Sequence, residues 1–212
     1  MKIALINGSP KLKDSASSSL IEELKLLLCN SNNQIISCEL HKPEIDEEQK
    51  EELYSCDVHI FAFPLYVDGI PSNLLYCLKS LDEYINTKPR KQIKIYSVVN
   101  CGFYEGRQNE VAIDILRNWA HKAGLIWGQG IGIGGGGILS SIKTVPIGHG
   151  PKKNLGLAFN VLVSNILNGE TGDTIYIKPN FPRFLYIAGG NMGWKSVIKS
   201  NGLKVKDLFK QV

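Results

Sequence analysis

The first twenty-odd residues contain the pattern that most constrains the fold, a buried strand followed by a hydroxyl-rich loop and a helix. Residues 2–7 are almost entirely apolar with little polar alternation, which is typical of a strand buried on both faces of a parallel sheet. Gly8 permits a sharp turn after it, and apolar residues on one helical face predict a helix over residues 15–30. A chain with this pattern is expected to fold as an α/β protein.

The loop between this strand and this helix has the composition of an anion-binding site. Serines occupy position 9 and four of the five positions 15–19, and Lys11 lies between them. Free N–H groups and the positive end of the helix dipole point into such a loop, where hydroxyl and ammonium groups complete the shell of a phosphate. Serines at a helix start also act as N-caps, but their number here favours phosphate binding. The loop is neither a Walker loop nor a dinucleotide fingerprint, because Gly8 stands alone.

Strand and helix patterns alternate along the rest of the chain. Strands are predicted at 2–7, 34–40, 58–63, 92–100 and 125–133, and further helices at 44–55, 71–85, 108–124 and 154–168. Right-handed crossovers then give a doubly wound, five-stranded parallel sheet with helices on both faces. We expect residues 1–170 to form this domain, and residues 171–212 to be an extension packing on it. The extension holds a short apolar piece at 175–177 and a helical segment at 182–201, interrupted by Gly189-Gly190.

Three loops of unusual composition follow the carboxyl ends of predicted strands. They are residues 8–19, the proline-bounded segment 64–71 and residues 100–106. In doubly wound sheets, ligands bind beyond the carboxyl ends of the strands, at the topological switch point. The sequence therefore predicts one ligand site formed by these three loops.

Composition excludes several other classes of protein. There is no signal-peptide pattern, no apolar run of membrane-spanning length and no basic run interleaved with aromatic residues, so we expect a cytoplasmic protein that binds neither membrane nor nucleic acid. The five cysteines contain no CxxC and the four histidines are far apart, so no disulfide framework or metal site is expected. Lysines 143, 152 and 153 lie in an acid-free stretch, where they either face an anionic ligand or form a solvated surface.

Two further motifs of the sequence offer alternatives to the anion loop. Residues 132–137 match G-x-G-x-x-G, but the next acidic residue is Glu170, so a flexible glycine turn is the better interpretation. Cys101 and Arg107 form a C-x5-R motif between a strand and a helix, which keeps a phosphatase as a remote alternative. Glu105 would repel a phosphate dianion held in that loop.

Three pieces of the chain resemble the flavodoxin-like NAD(P)H-dependent FMN reductases and quinone or azo-dye reductases. They are Asn7-Gly8-Ser9-Pro10-Lys11 with Ser15-Ala16-Ser17, the segment Pro64-Leu65-Tyr66-Val67-Asp68-Gly69-Ile70-Pro71, and Asn100-Cys101-Gly102-Phe103-Tyr104-Glu105. The resemblance covers about residues 1–170, and it implies FMN as the cofactor. It also implies a homodimer with the flavin near the dimer interface.

The resemblance assigns roles to residues of each loop. It implies that Ser9, Ser15 and Ser17, the backbone of Ala16 and the nearby Lys11 bind the FMN phosphate. It implies that Pro64, Leu65, Tyr66, Val67 and Gly69 lie along the isoalloxazine ring. It implies that Asn100, Cys101, Gly102 and Phe103 cover the other edge of that ring.

The function that the resemblance implies is an FMN-dependent oxidoreductase. A flavin performs hydride transfer itself, so no catalytic side chain is needed and none is evident. NAD(P)H is expected as electron donor, with a quinone, an azo dye, free flavin or a similar small molecule as acceptor. The main alternative is a flavodoxin that carries electrons without turning over nicotinamide, although flavodoxins are typically shorter and strongly acidic while this chain has a net charge of +4.

Overall fold

The computed structural model describes residues 1–29, 33–139 and 142–209. The chain divides into two compact units, Met1–Pro179 and Asn180–Val212. The predicted end of the first helix at residue 30 and the last three residues of the extension lie outside the described residues. That the extension packs on the first domain stays a prediction.

The first unit is built on a parallel sheet. Its strands are β1 (Lys2–Asn7), β2 (Gln34–Glu39), β3 (Val58–Pro64), β4 (Lys94–Asn100), β5 (Ile126–Ile133) and β6 (Ile175–Ile177). Within the described residues, the sheet has six strands in the order β2-β1-β3-β4-β5-β6, and all neighbours are parallel. The parallel α/β fold is as predicted, but the predicted number of strands was one too few. The sixth strand has only three residues, too few for a periodic pattern.

Helices cover both faces of this sheet. They are α1 (Ala16–Leu28), α2 (Glu47–Ser55), α3 (Ser72–Ile85), α4 (Glu110–Lys122), the single turn α5 (Gly136–Leu139) and α6 (Lys153–Asn168). Apolar residues of α1 and α6 pack on one face of the sheet, and those of α2, α3 and α4 pack on the other. The central strands are therefore buried on both sides, as their near-continuous apolar sequence predicts.

Local sequence signals explain where several helices begin and end. Asp46 and Gln49 form a capping box at the start of α2, and Gly169 ends α6 in the left-handed conformation, with φ 68°. A short 3-10 turn over Gly106–Asn109 precedes α4, so the α-helix begins two residues later than predicted. Such shifts are common at helix ends, because the first or last turn of a helix is often 3-10 in character.

The second unit contains the helix α7 (Arg183–Ser200) and a 3-10 turn over Val205–Phe209. The predicted interruption at Gly189-Gly190 is wrong, because the helix continues through both glycines. Each glycine costs about 1 kcal/mol relative to alanine in a helix, which lowers its stability without ending it. Across the described residues, no helix is both long enough and apolar enough to cross a membrane.

Candidate functional site

Four adjacent strands end at the same edge of the sheet, and their following loops form the candidate site. Asn7 and Ala62 are paired across β1 and β3, Pro64 pairs with Asn100, and Asn100 pairs with Ile133. This edge includes the switch point between β1 and β3, from which the chain winds in opposite directions. The three loops singled out in the sequence therefore lie side by side, as predicted.

The loop after β1 is held by a buried asparagine. The Asn7 side chain accepts a hydrogen bond from the Ser9 amide at 3.1 Å and donates to the Ser18 hydroxyl at 3.0 Å and to Glu39 at 2.8 Å. On its other side, His41 lies 2.7 Å from the Ser9 carbonyl oxygen. These contacts fix the path of the loop from the strand end to the helix. Asn7 was not among the predicted site residues, although a polar side chain at the end of an apolar strand is a signal of such a role.

The start of α1 directs backbone N–H groups into this loop. Ser15 is the N-cap, and its side chain accepts a hydrogen bond from the Ser18 amide at 2.9 Å. The amides of Ala16 and Ser17 are in the first turn, so they have no acceptor within the helix. Ser9 and Ser15 are almost fully buried, and the Ser9 hydroxyl accepts from the Lys11 amide at 3.2 Å. The geometry is that of an anion site at a helix N-terminus.

The side chain of Ser17 has a different role from the one expected. It is completely buried, and its hydroxyl donates to Asn100 Oδ1 at 3.0 Å. This bond joins the start of α1 to the end of β4. The hydroxyl is therefore committed to Asn100, and only the backbone amide of Ser17 still fits the implied contact with a phosphate.

Three lysines near this loop make contacts within the protein. Lys143 Nζ lies 2.7 Å from an Asp14 carboxylate oxygen, and that hydrogen bond lowers the pKa of Asp14. Lys152 is buried and lies 2.8 Å from Glu23, while Lys11 Nζ donates to the Asp14 carbonyl at 3.1 Å. Lys143 therefore attaches the segment before α6 to the loop before α1, and Lys152 attaches it to the middle of α1. Of the two interpretations left open for these lysines, neither describes Lys143 and Lys152, which pair with acids, whereas Lys153 is exposed, as a solvated surface predicts.

The loop after β3 contains a tight turn in an unfavourable conformation. Tyr66 and Gly69 exchange two backbone hydrogen bonds of 3.1 and 2.9 Å. Between them, Val67 has φ 47° and Asp68 has φ 57°. The left-handed region is costly for a β-branched residue, and the Val67 side chain is fully exposed, so no packing within the chain compensates for it. Strained turns of this kind are concentrated at ligand-binding sites.

The loop after β4 turns around a buried amide. Asn109 donates to the Gly106 carbonyl at 2.9 Å, to the Ile133 carbonyl at 3.2 Å and to Cys101 Sγ at 3.4 Å. The remaining oxygen of this amide, Oδ1, is buried without a hydrogen-bond partner within the described part of the chain. Phe103, by contrast, is half-exposed at the loop surface. Asn109 was missed from the sequence because it lies within a helix pattern.

The C-x5-R motif does not assemble a phosphatase site. Cys101 is buried, and burial raises the pKa of its thiol, whereas a nucleophilic thiolate requires the opposite shift. Arg107 extends into solvent and pairs with Glu110 at 3.3 Å. The structure therefore argues against the remote phosphatase alternative.

The glycine segment after β5 is a fourth part of the site. Gly134, Gly135 and Gly136 are buried, and the amides of Gly135 and Gly136 donate to the carbonyls of Phe103 and Cys101 at 2.6 and 2.7 Å. A Cβ on Gly134 would lie 2.1 Å from the Tyr104 carbonyl oxygen. The interpretation as a flexible turn is wrong, because these glycines allow two backbones to pack directly against each other. Their position at the end of a buried strand is the sequence signal that indicates this close backbone packing.

Comparisons with known proteins agree with this architecture. No protein-family model and no curated protein matches the sequence, but solved structures do. An NADH:FMN oxidoreductase in its apo form matches with a TM-score of 0.60 and 17% identity, over 81% of this chain and 90% of its own. An NAD(P)H:quinone oxidoreductase from Methanothermobacter marburgensis matches with a TM-score of 0.58 and 15% identity, over 78% of this chain and 96% of its own. An NADPH-quinone reductase from P. pentosaceus matches with a TM-score of 0.56 and 15% identity, over 78% of this chain and 97% of its own.

The strand order makes the first unit a doubly wound α/β domain, and the candidate site lies at its β1/β3 switch point. More particularly, the chain has the flavodoxin-like fold, with β6 added beside β5. The fold that the sequence resemblance implies is therefore confirmed. At such low identity, the comparisons establish the fold alone.

Proposed function

We propose that the chain is an FMN-dependent oxidoreductase that passes electrons from NAD(P)H to a small acceptor. The observation that carries the proposal is the convergence of the helix N-terminus, the strained turn and the two further loops at one sheet edge. The names of the structurally similar proteins support the same class of chemistry.

The residues present suit the chemistry of FMN. In this proposal the amides of Ala16 and Ser17, the hydroxyls of Ser9 and Ser15 and the Lys11 side chain bind the phosphate. These groups are hydrogen-bond donors, and the nearest acid of the loop, Asp14, is paired with Lys143. A dianion would therefore meet donors and positive charge rather than a free carboxylate.

The other loops would hold the ring system. Residues 64–67 and Gly69 belong to a turn closed by two backbone hydrogen bonds, and the half-exposed Tyr66 within it is suited to contact a flat aromatic ligand. Residues 100–103 would cover the opposite edge, supported from behind by the buried glycine segment. When bound, FMN supplies hydride transfer, and the protein orients it and limits access of water. A quinone, an azo dye or free flavin would be the acceptor.

The assembly and location of the protein are part of the proposal. We propose a homodimer, because Leu75 and Tyr76 on α3 are exposed and line a cavity of about 390 Å³ with Trp119 of α4. A cytoplasmic location suits a chain whose cysteines in the described residues are all unpaired.

The test is an anaerobic absorption titration of the purified protein with NADPH and with NADH, after reconstitution with FMN. Bound FMN that is reduced stoichiometrically supports the proposal. Bound FMN that neither nucleotide reduces would favour the electron-carrier alternative. A protein that retains no FMN would refute the cofactor assignment.

A further inference from the structure

Four residues at the loop after β1 form a closed cycle of hydrogen bonds. The Ser9 amide donates to Asn7 Oδ1 at 3.1 Å, and Asn7 Nδ2 donates to Glu39 Oε2 at 2.8 Å. His41 completes the cycle, because its Nδ1 lies 2.7 Å from the Ser9 carbonyl oxygen and its Nε2 lies 3.0 Å from Glu39 Oε2. This histidine therefore connects the loop after β1 to the end of β2.

Both ring nitrogens of His41 need a proton in this arrangement. The Ser9 carbonyl can only accept, so Nδ1 donates to it. The contact between Nε2 and Glu39 Oε2 also needs a proton between the two atoms. A carboxylic acid gives up its proton more readily than an imidazolium, so that proton belongs to the imidazole. The cycle of hydrogen bonds thus requires the doubly protonated imidazolium form of His41.

A neutral His41 can keep only one of its two contacts. In a neutral imidazole, one ring nitrogen carries a lone pair instead of a proton. That lone pair would face either the Ser9 carbonyl oxygen at 2.7 Å or the Glu39 carboxylate at 3.0 Å, and both arrangements are repulsive. Only 17% of the His41 side chain is exposed, so water replaces the lost contact poorly. Loss of one proton therefore opens the cycle.

Ser9 is the residue through which the cycle acts on the anion site. Its amide donates to Asn7 and its carbonyl accepts from His41, so the backbone of Ser9 is held on both sides. Its hydroxyl oxygen accepts from the Lys11 amide at 3.2 Å, which leaves the hydroxyl proton for an anion. In the proposed function, that hydroxyl donates to the phosphate. Movement of the Ser9 carbonyl would carry the hydroxyl away from the amides at the start of α1.

We propose that His41 is a positioning residue for the anion site, and that its second proton controls how tightly the site binds a phosphate group. The inference rests on the proposed function in taking the FMN phosphate as the ligand, whereas the cycle itself does not depend on any ligand. Histidine is the side chain that ordinarily changes its charge between about pH 5 and 8. Phosphate affinity is therefore expected to fall as the pH rises through that range.

The other charged groups near His41 do not account for such a fall. Besides Glu39, the charged residues that line the cavity of about 430 Å³ beside it are Lys42, Glu44 and Asp46. Lys42 lies 3.9 Å from Glu44, and Asp46 caps α2. On the side of the loop after β1, the Lys11 ammonium donates to a backbone carbonyl. Carboxylates and lysines ordinarily change their charge far from neutral pH.

The protonation of His41 is measured first, in the full chain without flavin. Nitrogen-15 NMR of the histidine rings distinguishes the imidazolium from the two neutral tautomers, and the His41 signals are those lost in His41→Gln. We expect an imidazolium at about pH 5.5 that loses its second proton at lower pH in Glu39→Gln, because the carboxylate stabilises the charged form. A neutral His41 at about pH 5.5 would overturn the proposal without reference to FMN.

The effect on binding is measured by flavin fluorescence titrations between about pH 6 and 8.5. His41→Gln keeps a donor for Ser9 but loses the charge. We expect it to bind FMN about ten-fold more weakly than the original chain at about pH 6 and equally at about pH 8.5, since a hydrogen bond to a charged group contributes about this factor. The ratio of the two affinities at each pH cancels the titration of the FMN phosphate itself, which occurs near about pH 6.

Two controls accompany this titration. Riboflavin lacks the phosphate, so its affinity should be the same in the original chain and in His41→Gln at every pH. His121→Gln removes an exposed histidine of α4 and should bind FMN like the original chain. Glu39→Gln should move the fall in FMN affinity to lower pH, which a merely structural role of His41 would not produce.

The possible failures of the two proposals are distinguishable. FMN that binds equally to the original chain and to His41→Gln at every pH would overturn this inference and leave the proposed function standing. A His41→Gln deficit that is the same at every pH would overturn the control by protonation. If the original chain binds no FMN, the proposed function fails. The same pH series with inorganic phosphate, measured as a shift in melting temperature, then tests His41 by itself.

Discussion

Replacing Ser17 by alanine separates a structural role of this residue from a role in ligand binding. Its hydroxyl donates to Asn100 Oδ1 at 3.0 Å, and both residues are buried. Alanine removes the donor and leaves the Asn100 oxygen buried without it. The backbone amide of residue 17, which we assign to the phosphate, is unchanged.

The cost of the substitution follows from that geometry. A buried polar atom that loses its partner costs about 1–3 kcal/mol, because it has also lost its contact with water. For a domain of this size, such a loss lowers the melting temperature by roughly 2–12 °C. We therefore expect Ser17→Ala to destabilise the protein and to alter FMN affinity little.

Urea unfolding and an FMN titration of the same variants measure the two effects. Ser19→Ala is the matched control, since that hydroxyl makes only a 3.4 Å contact with the Ser15 carbonyl and is partly exposed. A double-mutant cycle with Asn100→Ala should give a coupling energy of about 0.5–3 kcal/mol. Unchanged stability of Ser17→Ala together with much weaker FMN binding would refute this reasoning and return the hydroxyl to the phosphate.

Three other changes test separate parts of the structure. Val67→Gly should stabilise the protein by about 1 kcal/mol in urea unfolding, because a φ of 47° strains a β-branched residue and the Val67 side chain is fully exposed. A loss of stability in this variant would contradict the strain at Val67. Gly134→Ala should cost more than about 2 kcal/mol, because its Cβ would meet the Tyr104 carbonyl oxygen at 2.1 Å, whereas Gly137→Ala meets no atom within 4 Å and serves as control. Burial lowers the pKa of His59 to about 4, so between pH 6.5 and 4 the unfolded chain is protonated at this residue while the folded chain is not. The free energy of unfolding should therefore fall by on the order of 3 kcal/mol as the pH drops from 6.5 to 4. In unfolding measured at several pH values, His59→Gln should reduce this fall in the free energy of unfolding. An unchanged fall in the variant would mean that other groups cause the pH dependence.

Much of the fold follows from local patterns. The continuous apolar runs predict strands buried on both faces, and their alternation with amphipathic segments predicts the crossovers. Because parallel strands end at a common edge, the sequence alone brings the three loops together. The sixth strand and the continuity of α7 were not predicted, because three residues carry no period and paired glycines are usually helix breakers.

The candidate site also has features that local sequence patterns predict and features that they do not. The serine-rich loop, the proline-bounded turn and the segment after β4 are local features of the sequence, and each is at the predicted edge. Three further features depend on residues that are distant in the chain. They are the bond of Ser17 to Asn100, the pairing of Lys143 with Asp14 and the contact of Gly134 with the Tyr104 backbone.

The sequence by itself determined the α/β class and the edge of the sheet where the three loops lie, because hydrophobic period and turn residues act over a few positions. Tertiary structure alone decided which hydroxyl is free, which lysines are neutralised and which glycines are packed. Those properties depend on which groups approach within about 3 Å of one another, and no local pattern specifies partners that lie up to 129 residues apart.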